Sequence, residues 1–220
     1  MAVITEGVNG GFTGKAGTVV GYYRMGKWVI RALPRLSTKN KRGTKDQNAN
    51  RSKFTKMQHF LSPMIDFIRV GFNMEARSKQ MTAHNAAKSY NMLHAFTPEA
   101  EIDFSKVLLS SGSLPGALNP TVEKDDMGLH FSWTNNSGED LAESRDQVML
   151  LAYDDMLMDS NNKKKADAYY LLSGARRNTE METLEIAFPS KGNTLHTYIA
   201  FISDDRQRVS MSTYVGEIVY

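Results

Sequence analysis

The pattern of apolar positions divides the chain into a glycine-rich β-prone start, a helical middle and an alternating C-terminal half. Near the start, residues 18–24 and 27–31 are rich in β-branched and aromatic residues and flank Met25-Gly26. This pattern predicts a β-hairpin, although methionine is not a favoured turn residue. Pro34 ends the second strand, and the polar, basic residues 35–43 are predicted to form a loop.

A helical period begins after this loop. Thr44 and Gln47 have the spacing of a capping box, in which each side chain bonds the backbone N–H of the other residue. Apolar residues then recur at steps of three and four: Phe54, Met57, Leu61, Met64, Ile65 and Ile68. Because proline suits the first turn of a helix better than its interior, Pro63 indicates two helices, roughly 45–60 and 63–70.

A third helix is predicted over about 75–95, and a connector follows it. Its apolar face consists of Met81, Ala86 or Ala87, Tyr90 and Leu93. The connector, 99–116, contains an apolar stretch at 104–109 that is typical of a strand.

From about Ala117 the period changes to two, which predicts short strands separated by turns rich in Asn, Gly, Asp and Lys. The strand segments are 118–122, 129–133, 148–152, 168–172, 184–188, 195–201 and 209–215. Seven strands in about 100 residues are typical of an immunoglobulin-like sandwich. The predicted class is therefore α+β, with a hairpin arm (1–43), a three-helix segment (44–98), a connector (99–116) and a seven-stranded immunoglobulin/fibronectin-like β-sandwich (117–220).

Composition limits the chemistry and the compartment. The chain has 220 residues and no cysteine, which excludes disulfides, thiol catalysis and cysteine-ligated metals. The first 26 residues lack the continuous apolar region of a secretory signal, and no stretch approaches the length of a membrane span. We therefore expect a soluble protein without a membrane partner, located in the cytoplasm or within a particle or virion.

Charge is segregated along the chain. Residues 1–56 contain twelve Lys and Arg against two acidic residues, a net charge of +10, while the remaining 164 residues carry −7. A cationic segment next to an acidic one predicts binding to an anionic or acidic partner surface. The residues predicted to interact are Lys15, Tyr22, Tyr23, Arg24, Lys27, Trp28, Arg31, Arg35, Lys39, Lys41 and Arg42.

The C-terminal hundred residues resemble a fibronectin type III domain. Leu129-His-Phe-Ser-Trp133 is similar to the family's strand with a core tryptophan. Leu184-x-Ile-x-Phe188 and Tyr198-Ile-Ala-Phe201 are similar to two later strands, with Gly192-Asn-Thr194 as the turn between them. The chain lacks the family's prolines near Asn135. The resemblance implies a sandwich with a buried tryptophan.

The whole chain also resembles an uncharacterised bacterial family, one of the domains of unknown function common in the Bacteroidetes. The motifs that carry the resemblance are Gly14-Lys-x-Gly17-x-Val19-Val-Gly21, Arg31-x-x-Pro34, Gln47-x-x-x-Arg51-x-Lys-Phe54, Phe60-Leu-Ser-Pro63, Ala86-x-x-Ser89-Tyr-Asn91, Ile102-Asp-Phe104-Ser-Lys-Val107 and Tyr198-Ile-Ala-Phe-Ile-Ser203. They span the chain. This resemblance implies an architecture and no activity.

No catalytic, metal or cofactor motif is complete. The glycines before Lys15 suggest a phosphate loop, but such a loop needs glycine at position 9 and Ser or Thr at position 16, where the chain has Asn9 and Ala16. The five histidines have no paired ligand spacing. The Asp and Asn residues at 154–162 lack the order of a calcium loop, and no nucleophile-elbow serine occurs. We expect no cofactor, no metal and no small-molecule substrate.

These observations favour a non-enzymatic structural or interaction protein. The basic arm and the helices would dock on other copies or other subunits, in an oligomer or a larger assembly such as a phage particle. The alternative is a nucleic-acid-binding module, because aromatic residues interleaved with cations suit single strands. A merely solvated basic surface and an enzyme with a composite site remain open.

Overall fold

The computed structural model describes residues 2–4, 10–33, 43–125, 128–154, 167–186 and 192–219. The chain divides into two compact units, Met1–Asn48 and Ala49–Tyr220. The architecture is α+β, with mostly β-structure. Among the described residues, no helix is both long and apolar enough to cross a membrane.

The first unit contains a four-stranded antiparallel sheet. Its strands are β1 (Val3–Ile4), β2 (Phe12–Ala16), β3 (Val19–Arg24) and β4 (Lys27–Ala32), in the order β1-β2-β3-β4. The predicted hairpin is confirmed as β3–β4, with Arg24 opposite Lys27. Met25 and Gly26 have φ angles of 48° and 81°, and a type I′ turn needs both to be positive. The glycine-rich segment before this hairpin adds a strand that the sequence analysis did not predict.

Two glycines leave space for aromatic rings on this sheet. A Cβ atom on Gly11 would lie 1.8 Å from Cδ2 of Trp28, so the indole occupies that space. A Cβ on Gly21 would lie 2.8 Å from the ring of Phe12. The ring of Trp28 also packs edge-on against Tyr23, with 5.1 Å between the ring centroids.

The helices are α1 (Lys45–Leu61), α2 (Ile65–Gly71), α3 (Asn73–Ser78) and α4 (Ala83–His94). The capping box at the start of α1 is confirmed. The backbone N–H of Thr44 donates to Oε1 of Gln47 at 3.1 Å, and the N–H of Gln47 donates to Oγ1 of Thr44 at 3.3 Å. The predicted break at Pro63 is confirmed, but Pro63 lies in the turn before α2, which begins at Ile65 and not at residue 63.

The single third helix predicted over 75–95 is wrong. The chain leaves the helix after α3 because Gln80 has a positive φ of 52°. Thr82 then starts α4 as its N-cap, accepting a hydrogen bond from the N–H of Asn85 at 3.3 Å. Two predicted core residues also lie on the surface, since Phe54 is 51% and Leu93 is 78% exposed. The ring of Phe54 lies 4.3 Å from Nζ of Lys88, while nothing in the structure explains Leu93.

The predicted strand at 104–109 is also wrong. A 3-10 helix, Phe104–Lys106, takes its place, and Asp103 caps it by accepting from the N–H of Ser105 at 3.2 Å. The connector is extended at Val107 and then passes through the buried Leu108 and Leu109.

The C-terminal strands form two antiparallel sheets. They are β5 (Leu118–Asp125), β6 (Gly128–Thr134), β7 (Gln147–Asp154), β8 (Asp167–Leu171), β9 (Met181–Glu185), β10 (Thr194–Ile202) and β11 (Thr213–Val219). One sheet has the order β5-β6-β9 and the other the order β11-β10-β7-β8. The strand predicted at 184–188 overlaps β9 only at 184 and 185, and residues 187 and 188 lie outside the described residues. The strand predicted at 209–215 begins at Thr213.

Both faces of the four-stranded C-terminal sheet are buried. Met149 and Leu151 on β7 share a core with α1, α2 and α4. Val148 and Leu150, on the opposite face of β7, share a second core with β6 and β9. A strand covered on both sides must be apolar at successive positions, which explains the run Val148–Ala152.

Among the described residues, the largest fully buried side chain belongs to a charged residue, Arg177. Its guanidinium donates to Oδ2 of Asp146 at 3.2 Å, Oδ1 of Asn136 at 2.6 Å, and the carbonyls of Pro115 and Gly116 at 2.9 and 3.1 Å. It also lies over the ring of Phe201, 3.8 Å from the centroid. Burial lowers the pKa of Arg177, and the neighbouring Asp146 carboxylate opposes that shift.

Replacing Arg177 by methionine should lower the free energy of unfolding by about 3–5 kcal/mol, because the change leaves Asp146 buried without its counter-ion. The double variant Arg177→Met, Asp146→Leu removes both charges and should recover part of this loss. Urea denaturation followed by circular dichroism measures both. A single variant within 1 kcal/mol of the parent chain, on the order of one ordinary hydrogen bond, would contradict this role.

Replacing Gly11 by alanine should displace Trp28 and cost about 1–3 kcal/mol of stability in the first unit, because the added methyl overlaps the indole ring. Thr13→Ala is the matched control, since Thr13 is an exposed neighbour on β2. Tryptophan fluorescence in a Trp133→Phe background isolates the signal of Trp28. Equal emission spectra and denaturation midpoints for the two variants would show that the ring does not depend on Gly11.

Candidate interaction surface on the N-terminal sheet

The register of the N-terminal sheet separates its side chains by chemistry. Lys15 pairs with Val20, Val20 with Arg31, and Arg24 with Lys27. Residues directly opposite each other in an antiparallel sheet share a face, and alternate residues along a strand do so too. Lys15, Arg24, Lys27 and Arg31 therefore all lie on one face, which we call the cationic face.

The cationic face also carries one aromatic ring and two small apolar residues. Tyr22 lies between Val20 and Arg24 along β3, and Val29 is opposite Tyr22. The guanidinium of Arg31 lies 5.9 Å from the centre of the Tyr22 ring, within the range of a cation–π contact. The four cations are exposed, and β1 to β4 contain no acidic residue.

The spacing of the four cations follows from strand geometry. Lys15 and Arg31 stand two strands apart on either side of Val20, about 10 Å from each other by strand spacing. Arg24 and Lys27 form a second cationic pair, roughly 13 Å further along β3 and β4 by the rise per residue. The four charges thus span an area wide enough to contact several anionic groups at once.

The opposite face of the sheet is apolar. Tyr23 lies opposite Trp28, and Gly21 lies opposite Ile30. Tyr23 and Ile30 are 59% and 58% exposed, whereas Trp28 is half-buried over Gly11. Tyr23 and Trp28, two of the predicted interaction residues, are thus on a different face from the cations.

The rest of the predicted interaction set lies outside the described residues. These residues are Arg35, Lys39, Lys41 and Arg42. Residues that the sequence analysis did not include, Val20 and Val29, belong to the cationic face. Their period-two spacing from Tyr22 and Arg31 was visible in the sequence. The length of the turn at Met25-Gly26 was the additional information needed to align the two strands.

The residues considered for phosphate or metal binding have neighbours that indicate a structural role. Lys15 lies within strand β2, not in a loop that leads into a helix. His196 stacks on Phe104 with 3.7 Å between centroids, and Nδ1 of His130 lies 3.2 Å from Oγ1 of Thr183. In the described part of the chain, no group of three or more His, Cys, Asp and Glu residues could hold a metal ion. Most of the candidate calcium loop, 155–162, lies outside the described residues.

A desolvated lysine is a further unusual group. Lys88 on α4 is 8% exposed, and its amine contacts Oε1 of Gln58 and the ring of Phe54. Desolvation lowers the pKa of Lys88. Burial lowers the pKa of His84, and the nearby positive charge of Lys88 lowers it further. The contact with the amine of Lys88 holds the exposed ring of Phe54 close to α4.

Comparisons with known proteins give a family but no activity. No curated protein and no solved structure matches the chain significantly. A family model described as a family of unknown function, DUF6266, matches residues 11–216 and so covers the cationic face, the helices and both C-terminal sheets. The chain belongs to this family of unknown function, DUF6266.

Proposed function

We propose that this protein is a non-enzymatic interaction protein that docks on an acidic partner surface through the cationic face of its N-terminal sheet. The observation that carries the proposal is the register, which gathers Lys15, Arg24, Lys27 and Arg31 on one side of the sheet with no acidic residue among them. Like charges held close together repel each other, and an anionic partner relieves that repulsion.

The partner is an acidic protein surface, in an oligomer or a larger assembly such as a phage-type particle. Residues 57–220 carry a net charge of −7, so another copy of this chain already offers such a surface. The half-exposed apolar face, with Tyr23 and Ile30, adds area of the kind that protein interfaces bury.

The C-terminal sheets suit a scaffold for such an assembly. We propose that they form an immunoglobulin/fibronectin type III-like sandwich. Supporting this are the strand orders β5-β6-β9 and β11-β10-β7-β8, and the shared core in which Trp133 packs against Phe201 at 5.5 Å. Sandwiches of this kind serve many binding functions, and the inference from fold to function is one of analogy.

A single-stranded nucleic acid is the second candidate partner. One observation favours it: Tyr22 shares the cationic face with all four cations, so a base could stack while phosphates are neutralised. Binding of this kind weakens steeply with salt, with a slope of about −0.7 per phosphate contact for single strands. Four contacts would give a slope of roughly −3 in a plot of log affinity against log salt concentration.

Neutralising the cationic face should abolish association. The variant carries Lys15→Gln, Arg24→Gln, Lys27→Gln and Arg31→Gln. We expect the parent chain to elute above its monomer mass of 24.7 kDa and the variant to elute as a monomer, because the acidic partner surface has lost its counter-charge. Size-exclusion chromatography with light scattering, at low and high salt, measures the mass.

The matched control removes four exposed cations of the second unit: Arg51→Gln, Lys106→Gln, Arg145→Gln and Arg176→Gln. It has the same net charge as the first variant and should associate like the parent chain. Nucleic acid that co-elutes at low salt and is lost at high salt would select the second candidate. A monomeric parent chain without nucleic acid at both salt concentrations would contradict both candidates.

A further inference from the structure

A cleft in the second unit combines apolar walls with arginines. It has a volume of about 380 Å³ and lies where α2 and α3 meet the ends of β8 and β10. Its walls come from Val70, Met74, Leu172, Ile202 and Val209. Among the described residues, its charged lining consists of Arg69, Arg206 and Arg208, with no acidic residue. Apolar clefts of a few hundred Å³ with a few convergent polar groups are typical ligand sites.

The three arginines differ in how their charge is balanced. Arg69 forms an ion pair with Asp66 at 2.8 Å, and Arg208 forms one with Glu143 at 3.1 Å. Arg206 forms no ion pair with any described residue. Its Nη2 atom donates to two neutral oxygens, Oε1 of Gln147 and Oγ of Ser173, the latter at 2.8 Å.

These two bonds fix the guanidinium of Arg206 at the rim of the cleft without neutralising it. They use one of its terminal nitrogens, Nη2. Asp205, the residue before Arg206 in the chain, bonds other groups, since its Oδ1 accepts from Oγ of Ser203 at 2.6 Å and from the N–H of Gln207 at 2.9 Å. A planar guanidinium with donors to spare is suited to bind a carboxylate through two parallel hydrogen bonds.

The backbone of Arg206 carries a conformational cost. Its φ of 59° lies in the left-handed region, which glycine or asparagine adopts more easily than arginine. The turn holds this conformation, since the N–H of Arg206 donates to the carbonyl of Ser203 at 2.9 Å. An arginine at a position that favours glycine strains the backbone. Backbone strain of this kind is common at functional sites.

We propose that this cleft binds a small amphiphilic carboxylate, of the class of a medium-chain fatty acid. The carboxylate pairs with Arg206, and the hydrocarbon chain lies against the walls formed by Val70, Met74 and Leu172. A neutral apolar molecule would leave the charge of Arg206 unpaired, and a compact anion such as phosphate would leave the apolar walls in water. This proposal is independent of the N-terminal sheet and of its partner.

The experiment titrates the full-length protein with sodium decanoate by isothermal titration calorimetry. We expect decanoate to bind with a dissociation constant about two- to fivefold lower than that of 1-decanol, since Arg206 is exposed and water screens its pairing with the carboxylate. Acetate and inorganic phosphate, which lack a hydrocarbon chain, should give no measurable heat of binding.

Two substitutions test the role of Arg206. Arg206→Gln should weaken decanoate binding about two- to fivefold, because the exposed ion pair with the carboxylate is lost. Arg206→Gly should weaken it equally, and the variant should still unfold cooperatively in urea, because glycine adopts the left-handed φ of this turn without strain. Arg145→Gln, an exposed arginine outside the cleft, is the matched control and should bind like the parent chain.

Three results would overturn the proposal. The first is the absence of decanoate binding to the parent chain at millimolar concentration. The second is equal affinity for decanoate and decanol, which would show that the charge has no role. The third is unchanged decanoate affinity in Arg206→Gln or Arg206→Gly, which would locate the bound molecule elsewhere.

Discussion

The second unit depends on one buried guanidinium. Arg177 reaches four chain segments at once, through Asp146, Asn136, the carbonyls of Pro115 and Gly116, and the ring of Phe201. The indole N–H of Trp133 donates to the backbone carbonyl of Arg177 at 2.8 Å. An aliphatic side chain of the same size would fill the space but would bond none of these groups. The directional bonds therefore fix how the segments before β5, after β6 and before β7 meet.

Local rules predicted much of the fold from the sequence. The capping box at Thr44 and Gln47 depends on residues three apart, and the β3–β4 hairpin depends on two adjacent strands. The burial of Trp133 agrees with the resemblance of residues 129–133, within one strand, to a fibronectin type III strand. Each of these features is set by neighbours in the chain, which a sequence pattern records directly.

Features that depend on distant residues were missed. Arg177 looks like an ordinary surface arginine in the sequence, because its five contacts lie 24 to 62 positions away. The break between α3 and α4 has no proline or glycine to mark it, and the left-handed conformation of Gln80 ends the helix instead. The cationic residues of the N-terminal sheet were recognised, but their shared face depended on the pairing of β2 with β3. Arg206 could not be found, because its cleft is made from four separate segments.

β7 and β10 are buried on both faces, and this limits how the protein can be cut into fragments. Met149, Leu151 and Ala200 face the helices, so a fragment that begins after the connector would turn the whole helix-facing side of the sheet towards water. Exposed apolar surface of that extent promotes aggregation. Shuffling or recombination that treats the strands as a portable module would therefore yield an insoluble product. The helices and the strands must be inherited, expressed and engineered together.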